Sequence, residues 1–239
     1  MVSFNLEEYR DIWIFAEQRR GKIQSVTYEL LGKGKELADK SNCKVCAVLF
    51  GENIEQSEID SLFEYGADKV YYVNKPELKE FNGEYYSSIL ADLARKYKPE
   101  IMLAGATSIG RAFFPRTAIK LHTGLTADCT GFEIDMEDNR NLHQIRPAFG
   151  GNLMARIITP NTRPQMATAR HKVFKPLPPI KDKKGEIIKP EITMDSYKSR
   201  EKLIEFIEEV ETTVNITEAD IIVSGGRGVG GPENFKLIR

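Results

Sequence analysis

Four short apolar runs of strand length alternate with segments of helical spacing in the first half of the chain. The apolar runs are 11–17, 44–51, 70–73 and 101–104. The helical segments are 25–41, 57–65, 83–98 and a fourth that ends at Leu121. Such alternation predicts an α/β fold: an open, mostly parallel sheet with helices on both faces. Folds of this class hold ligands or partners at the carboxyl ends of the strands.

Two of these helices contain residues that affect their packing. Gly32 weakens the first helix and lets it approach a neighbour closely, and Pro115 is expected to kink or split the fourth. The fourth helix follows a loop of small residues, 105–111, that could present backbone N–H groups to an anion. The loop has no complete phosphate-binding pattern, and plain N-capping by Thr107 or Ser108 explains it equally well.

After Gly124 the sequence changes to β-forming and small residues. Segment 125–135 is β-prone, a turn follows at 138–141, and two further strands span 144–170 and end near Phe174. Because this half lacks helical spacing, we expect added C-terminal β-strands that extend or cap the sheet.

The pair Arg-Pro occurs twice in that region, at 146–147 and 163–164. Proline pushes the residue before it into an extended conformation, so Arg146 and Arg163 are expected on strand-like backbone. One interpretation is a β-hairpin with surface arginines. The other is that the arginines face an anionic or electron-rich ligand, or a partner. The pattern alone leaves both open.

The last part of the chain is rich in proline and glycine. Residues 175–191 are expected to form a linker or an exposed excursion. Segment 203–214 fits a helix by spacing, but its β-forming residues favour a strand. Residues 219–235 indicate a strand, a glycine-rich loop and a helix start, which suits nucleotide phosphates. We therefore expect an N-terminal α/β domain over 1–216 and, over 217–239, the truncated start of a second, nucleotide-binding domain.

Charge and composition limit the choice of partner and compartment. A net charge of −1 gives no reason to expect nucleic acid or an anionic membrane as a partner. No apolar run approaches the roughly 20 residues that span a bilayer, and residues 1–8 lack the features of a signal peptide. Three cysteines, an odd number, argue against a disulfide framework. We expect a cytoplasmic protein.

Neither the cysteines nor the histidines form a pattern typical of catalysis or metal binding. Cys43 and Cys46 form a C-x-x-C that leads into an apolar strand, whereas a thioredoxin-like pair sits at a helix N-terminus. They are expected to be small buried side chains. His122, His143 and His171 lie in unrelated segments. We therefore expect no catalytic residue and no metal site.

Several motifs together resemble the α subunit of the electron transfer flavoproteins, in the right order along essentially the whole chain. The motifs are YRDIWIFAEQ at 9–18, LLGKGKELA at 30–38, TSIGR at 107–111 with Pro115-Arg116, TGLTADCTG at 123–131, RPAFGGN at 146–152, TRPQM at 162–166 and VSGGRG at 223–228. The segment 123–131 is among the most specific of them.

The resemblance implies a heterodimer with an electron transfer flavoprotein β subunit, against which a Rossmann-like first domain packs. It implies a second domain whose FAD carries electrons between NADH or acyl-CoA-type dehydrogenases and an acceptor, so the chain would be a redox carrier rather than a stand-alone enzyme. Of the α-subunit FAD contacts, the loop arginine maps onto Arg227. The others fall in motifs beyond Arg239, so this chain alone is not expected to hold that FAD.

The first helix and the Arg146 region are most similar to α subunits of electron-bifurcating members. In those, the β subunit carries a second FAD in place of AMP, and the arginine near that flavin maps onto Arg146. A fixed guanidinium near a flavin stabilises its reduced, anionic forms. We interpret Arg163 as a structural or interface arginine.

Two other functions are compatible with the predicted fold. One is a stand-alone adenine-nucleotide-binding domain of regulatory type that uses the loop 108–111. The other is a nucleotide-dependent hydrolase or ligase, which would need a stronger phosphate-binding signature than the sequence contains.

Overall fold

The chain forms two compact units, Met1–Lys202 and Leu203–Arg239. The structure, a computed structural model, describes residues 5–138, 140–205, 219 and 221–238. The expected domain boundary between residues 216 and 217 stays a prediction.

The described part of the larger unit contains twelve strands and four α-helices. The strands are β1 (Ile12–Ala16), β2 (Gln18–Arg19), β3 (Lys22–Ile23), β4 (Val45–Gly51), β5 (Lys69–Asn74), β6 (Ile101–Gly105), β7 (Leu125–Cys129), β8 (Gly131–Asp135), β9 (Asn141–Ala148), β10 (Leu153–Ile157), β11 (Gln165–Ala169) and β12 (Glu186–Ile188). The helices are α1 (Ser25–Ser41), α2 (Gln56–Glu64), α3 (Gly83–Tyr97) and α4 (Ser108–Leu121).

Seven strands form one parallel sheet in the order β12-β5-β4-β1-β6-β11-β7. Helices α1 and α2 cover one face, where Leu30 and Phe63 join a buried apolar cluster with the sheet. Helices α3 and α4 cover the other, where Leu90 and Phe113 do the same. The predicted α/β class, with helices on both faces of a parallel sheet, is confirmed.

Gly32 in α1 and Pro115 in α4 affect their helices in different ways. Gly32 allows a close approach, because a Cβ built there would lie 2.7 Å from the backbone oxygen of Lys175. Pro115 lies inside α4, which runs unbroken from Ser108 to Leu121. Pro115 therefore does not split the fourth helix, and the kink expected as the alternative stays a prediction.

The added strands divide between two sheets. Strands β7 and β11 extend the parallel sheet, with β11 inserted between β6 and β7. Strands β8, β9 and β10 form a separate antiparallel sheet, which joins the core through Phe132 and Leu142. The segment 144–170 thus contributes to three strands, β9, β10 and β11, rather than two. Of these three strands, β9 and β10 form a hairpin.

The proline-rich segment 175–191 is exposed, as expected, but it is not a linker. It adds β12 to the parallel sheet beside β5, and the backbone N–H of Ile180 donates to the carbonyl of Glu64. No helix among the described residues is long and apolar enough to cross a membrane.

The elements among the described residues of the smaller unit are short. Residues 203–205 and 221–223 are not in a strand, contrary to expectation. The rest of the strand expected over 203–214 lies outside the described residues. Residues Arg227–Val229 and Pro232–Ile238 form 3-10 helices.

Candidate functional site

Asp128 occupies a β-bulge at the carboxyl end of β7. Between matched pairs of β7 and β11, two residues of β7 stand opposite the single Thr168. Asp128 takes up the extra length with a left-handed backbone (φ 61°), and its N–H donates to the hydroxyl of Thr168 at 3.0 Å. Bulges re-aim side chains, and this one presents a carboxylate at the edge of the sheet where α/β folds hold ligands.

Two arginines contact that carboxylate, and a third, Arg146, acts on it through its charge. Arg170, just after β11, forms a fork with Asp128: Nε lies 3.2 Å from Oδ1 and Nη2 lies 2.7 Å from Oδ2. Arg111 on α4 reaches Oδ1 at 3.5 Å. The bond to Arg170 lowers the pKa of Asp128, and the charges of Arg111 and Arg146 lower it further. The group therefore has excess positive charge.

Arg146 reaches this group from the second sheet. Leu142, Gln144 and Arg146 share one face of β9 because side chains alternate along a strand. The first two are buried and Arg146 is partly exposed. The N–H of Thr130 donates to the carbonyl of Ile145 at 2.8 Å, which fixes β9 to the end of β7. Arg146 thus lies near the point where the two sheets meet, within electrostatic range of Asp128. We call Arg111, Asp128, Arg146 and Arg170 the arginine cluster.

The hairpin that follows Arg146 is apolar and exposed. Phe149 at its turn is 83% exposed and has a left-handed backbone (φ 49°), which is unusual for a large side chain. Leu153 and Met154 on β10 are also exposed, and β10 is an edge strand. The hydrophobic surface next to Arg146 is of the kind that marks interaction sites.

The loop before α4 acts as a helix cap. The hydroxyl of Thr107 accepts the N–H of Gly110 at 2.9 Å and donates its own proton to the buried carboxylate of Glu17 at 2.5 Å. Arg19 in turn reaches Glu17 at 3.3 Å. Of the two interpretations of this loop, N-capping by Thr107 is confirmed. A carboxylate already lies beside the loop, which disfavours an added anion there.

Arg163 does not belong to the arginine cluster. It precedes β11 and lies at the amino ends of the strands, where its Nε is 3.7 Å from Oε1 of Glu100. Its side chain is fully buried, so the expectation of a surface arginine is wrong and that of a structural arginine is confirmed.

The cysteines and His143 are the remaining candidate side chains. Burial raises the pKa of the Cys43 thiol to about 11 and raises that of Cys46 as well, so the C-x-x-C is not an activated pair. His143 lies near Asp135, with 3.9 Å between Nε2 and Oδ2. No group of three or more possible metal ligands occurs in the part of the chain that the structure describes.

Arg227 lies in the smaller unit, in a short 3-10 helix within the glycine-rich segment, and it is exposed. A Cβ built at Gly226 or Gly228 would meet nothing within 4 Å, so the backbone on both sides of Arg227 is open to an approaching group. Its assignment as an FAD contact stays a prediction.

A model of the electron transfer flavoprotein domain matches residues 12–194, most of the larger unit. The chain belongs to the electron transfer flavoprotein family. Membership of this family implies a flavin cofactor and a role in electron transport. It also accounts for the occurrence of the sequence motifs in the expected order.

Named relatives agree with this assignment. The chain is 49% identical to the electron transfer flavoprotein subunit alpha of Thermoanaerobacterium thermosaccharolyticum, covering 98% of this chain and 70% of that protein. It is 42% identical to the lactate dehydrogenase (NAD(+),ferredoxin) subunit LctC of Acetobacterium woodii, over 99% of this chain and 56% of the relative. It is 38% identical to the acryloyl-CoA reductase electron transfer subunit beta of Anaerotignum propionicum, over 95% and 67%.

Sequence reasoning named Arg146 and included Arg111 only as the end of a possible anion-binding loop, and it missed Asp128 and Arg170. Arg111, Asp128 and Arg170 lie within quoted motifs or directly after a strand, and each stands at the carboxyl end of the sheet. The missing information was the position of β11 between β6 and β7, which brings Arg170 to Asp128.

Proposed function

We propose that this chain is the α subunit of an electron transfer flavoprotein that works as a heterodimer with a β subunit and uses FAD. Its electron donors would be NADH or a dehydrogenase of the acyl-CoA type. The relatives named for an NAD- and ferredoxin-linked dehydrogenase and for acryloyl-CoA reductase support partners of this kind. They also support the narrower proposal of flavin-based electron bifurcation.

The donor chemistry of the arginine cluster fits a flavin held mainly by the β subunit. A flavin accepts and passes on electrons one or two at a time and gains negative charge when it is reduced. Guanidinium groups keep their charge at any physiological pH. Arg146 lies among such groups beside an exposed apolar hairpin, so an aromatic, anionic ring system would meet both charge and hydrophobic surface.

Arg146 would act as a fixed cation. Its position on β9, tied to the end of β7 through the bond of Thr130 to Ile145, limits its movement. A charge that is already in place need not reorganise when electrons arrive, so it favours the reduced state of a nearby flavin. Asp128 would balance part of that charge.

Arg227 would serve the FAD of the α subunit itself. Its cation lies between glycines whose backbone is open on both sides, which suits an approach to phosphate or to the flavin ring. The family resemblance puts the other FAD contacts of an α subunit in motifs that these 239 residues do not include. Arg227 would therefore be one contact among several.

The observation that carries the proposal is the convergence of Arg111, Arg146 and Arg170 on one sheet edge in a chain of this family. To test it, the α polypeptide as its gene encodes it is co-expressed with the β subunit, and the purified complex is assayed for FAD and AMP. Two FAD per heterodimer supports bifurcation, and one FAD with one AMP supports a simple carrier. A flavin-free monomer that binds ATP would instead support the stand-alone nucleotide-binding domain.

The role of Arg146 is tested in the same complex. Arg146→Ala is expected to slow NADH-driven flavin reduction while the heterodimer still assembles. Arg156→Ala is the matched control, because Arg156 lies on the same hairpin but pairs with Glu133 at the surface. Loss of assembly in Arg146→Ala alone would assign Arg146 a structural role and remove it from the flavin site.

A further inference from the structure

Asp128 stands out because its backbone is strained and because the partners of its carboxylate, among the described residues, are arginines. A non-glycine residue in the left-handed region is strained, and asparagine or aspartate is the type that adopts it most readily. The carboxylate receives the two bonds of Arg170 and the longer contact of Arg111. The strained residue therefore places one negative charge against two guanidinium groups, within electrostatic range of a third on Arg146.

The cluster would be quite different without that charge. Arg111 and Arg170 come from α4 and from the end of β11, and both side chains are about half exposed. With Asp128 neutral, the two guanidinium groups would lose the negative charge with which both of them pair. The edge would carry three like charges, which repel one another.

We propose that Asp128 sets how much positive charge faces the flavin of the partner subunit: its carboxylate pairs with Arg170 and Arg111 and offsets part of their charge. This inference rests on the proposed function. It adds a residue that tunes the flavin's potential without touching the flavin. Removing the negative charge makes the environment more positive, which stabilises a reduced, anionic flavin and shifts the potential upward. Removing Arg170 does the opposite.

The test is a double-mutant cycle of two charge-removing substitutions, measured in the heterodimer with the β subunit. Asp128→Asn keeps an acceptor oxygen but removes the charge, and Arg170→Gln keeps a donor but removes the charge. Spectroelectrochemical titration should give a more positive potential for the partner's flavin in Asp128→Asn and a more negative one in Arg170→Gln. The double variant should return close to the wild-type value. Glu133→Gln on β8, whose carboxylate pairs with Arg156 at the surface, should shift nothing.

A purely structural role for Asp128 predicts another pattern. Both single variants would then shift the potential in the same direction or lose the flavin together, and the double variant would not recover. Either result overturns the proposal. Equal potentials in wild type and Asp128→Asn overturn it too.

Failure of the proposed function looks different again. In that case the wild-type complex would bind no flavin next to this chain, and Arg146→Gln would change no potential. If Arg146→Gln shifts the potential while Asp128→Asn does not, the proposed function stands and the role of Asp128 falls.

Discussion

Glu100 and Arg163 form a buried ion pair at the amino ends of β6 and β11, opposite the arginine cluster. Oε1 of Glu100 lies 3.7 Å from Nε of Arg163 and 3.0 Å from Nε of Arg140. Arg163 also donates to the carbonyls of Thr159 and Thr162. The pair therefore joins the loop before β11 to the start of β6.

We expect Glu100→Gln to destabilise the fold by about 3 kcal/mol, because removing one member of a buried pair leaves an uncompensated charge. Urea unfolding followed by tryptophan fluorescence measures this, since Trp13 lies buried in β1. Glu133→Gln, which breaks an exposed pair, should cost less than about 1 kcal/mol. Equal losses in the two variants would contradict a structural role for Glu100.

The structure of the first half was predictable because its signals are local. Apolar runs and helical spacing give the four helices and the strands β1, β4, β5 and β6 to within a few residues, and the alternation gives the parallel sheet. The two-residue strands β2 and β3 were not predicted. The insertion of β11 between β6 and β7 was not predictable in this way. Its five residues are moderately apolar, and nothing local specifies that they pair with strands about 60 and 40 residues earlier in the chain.

The candidate site shows the same division. Arg146 came from a motif, whereas Asp128 and Arg170 are 42 residues apart and meet only through the pairing of β7 with β11. The burial of Arg163 was missed for the same reason, because its partner Glu100 belongs to a distant loop. Patterns of local spacing do not encode ion pairs between residues far apart in sequence.

Thr107 is expected to matter for stability through two bonds at once. Thr107→Ala removes the acceptor for the N–H of Gly110 and the donor to buried Glu17, and should cost about 2 kcal/mol. Thr107→Ser keeps the hydroxyl and should stay within about 1 kcal/mol of the wild type. Thermal unfolding of both variants provides the measurement. If serine were as damaging as alanine, the lost methyl group rather than the hydroxyl would be the cause.

Gly32 should not tolerate alanine, although alanine favours helices by about 1 kcal/mol. The added Cβ would lie 2.7 Å from the carbonyl oxygen of Lys175 and 3.2 Å from the nitrogen of Leu177, so the proline-rich segment must move away from α1. We expect a net loss of about 1–3 kcal/mol and faster cleavage between 175 and 185 in limited proteolysis. Lys40→Ala, at an exposed position on the same helix, is the control and should be cleaved at the wild-type rate.

The cysteines should be unreactive in the folded chain. Because burial raises the pKa of Cys43 to about 11, only about one thiol in a thousand is ionised at pH 8, and the thiolate is the reactive form. We expect slow alkylation by iodoacetamide in buffer and rapid alkylation of all three thiols in urea. Fast labelling of Cys43 and Cys46 in the native chain would contradict this prediction and support a redox role for the C-x-x-C.

The bond between Asp128 and Arg170 should make stability depend on pH in acid. The pKa of Asp128 is lowered in the folded chain, chiefly by its bond to Arg170. In the unfolded chain the pKa of this carboxyl is about 3.9. The folded state then binds the proton less readily, so the stabilisation is complete above that value and is lost as the pH falls through the lower, folded value. Wild type should therefore be more stable than Asp128→Asn at pH 6, and the difference should shrink steadily below about pH 4.

Urea unfolding at several pH values measures this difference in stability. Arg170→Gln should flatten the pH profile in the same way, because it removes the same bond. A constant difference between wild type and Asp128→Asn down to the lowest pH would mean that backbone strain, and not the charge, decides what this residue contributes.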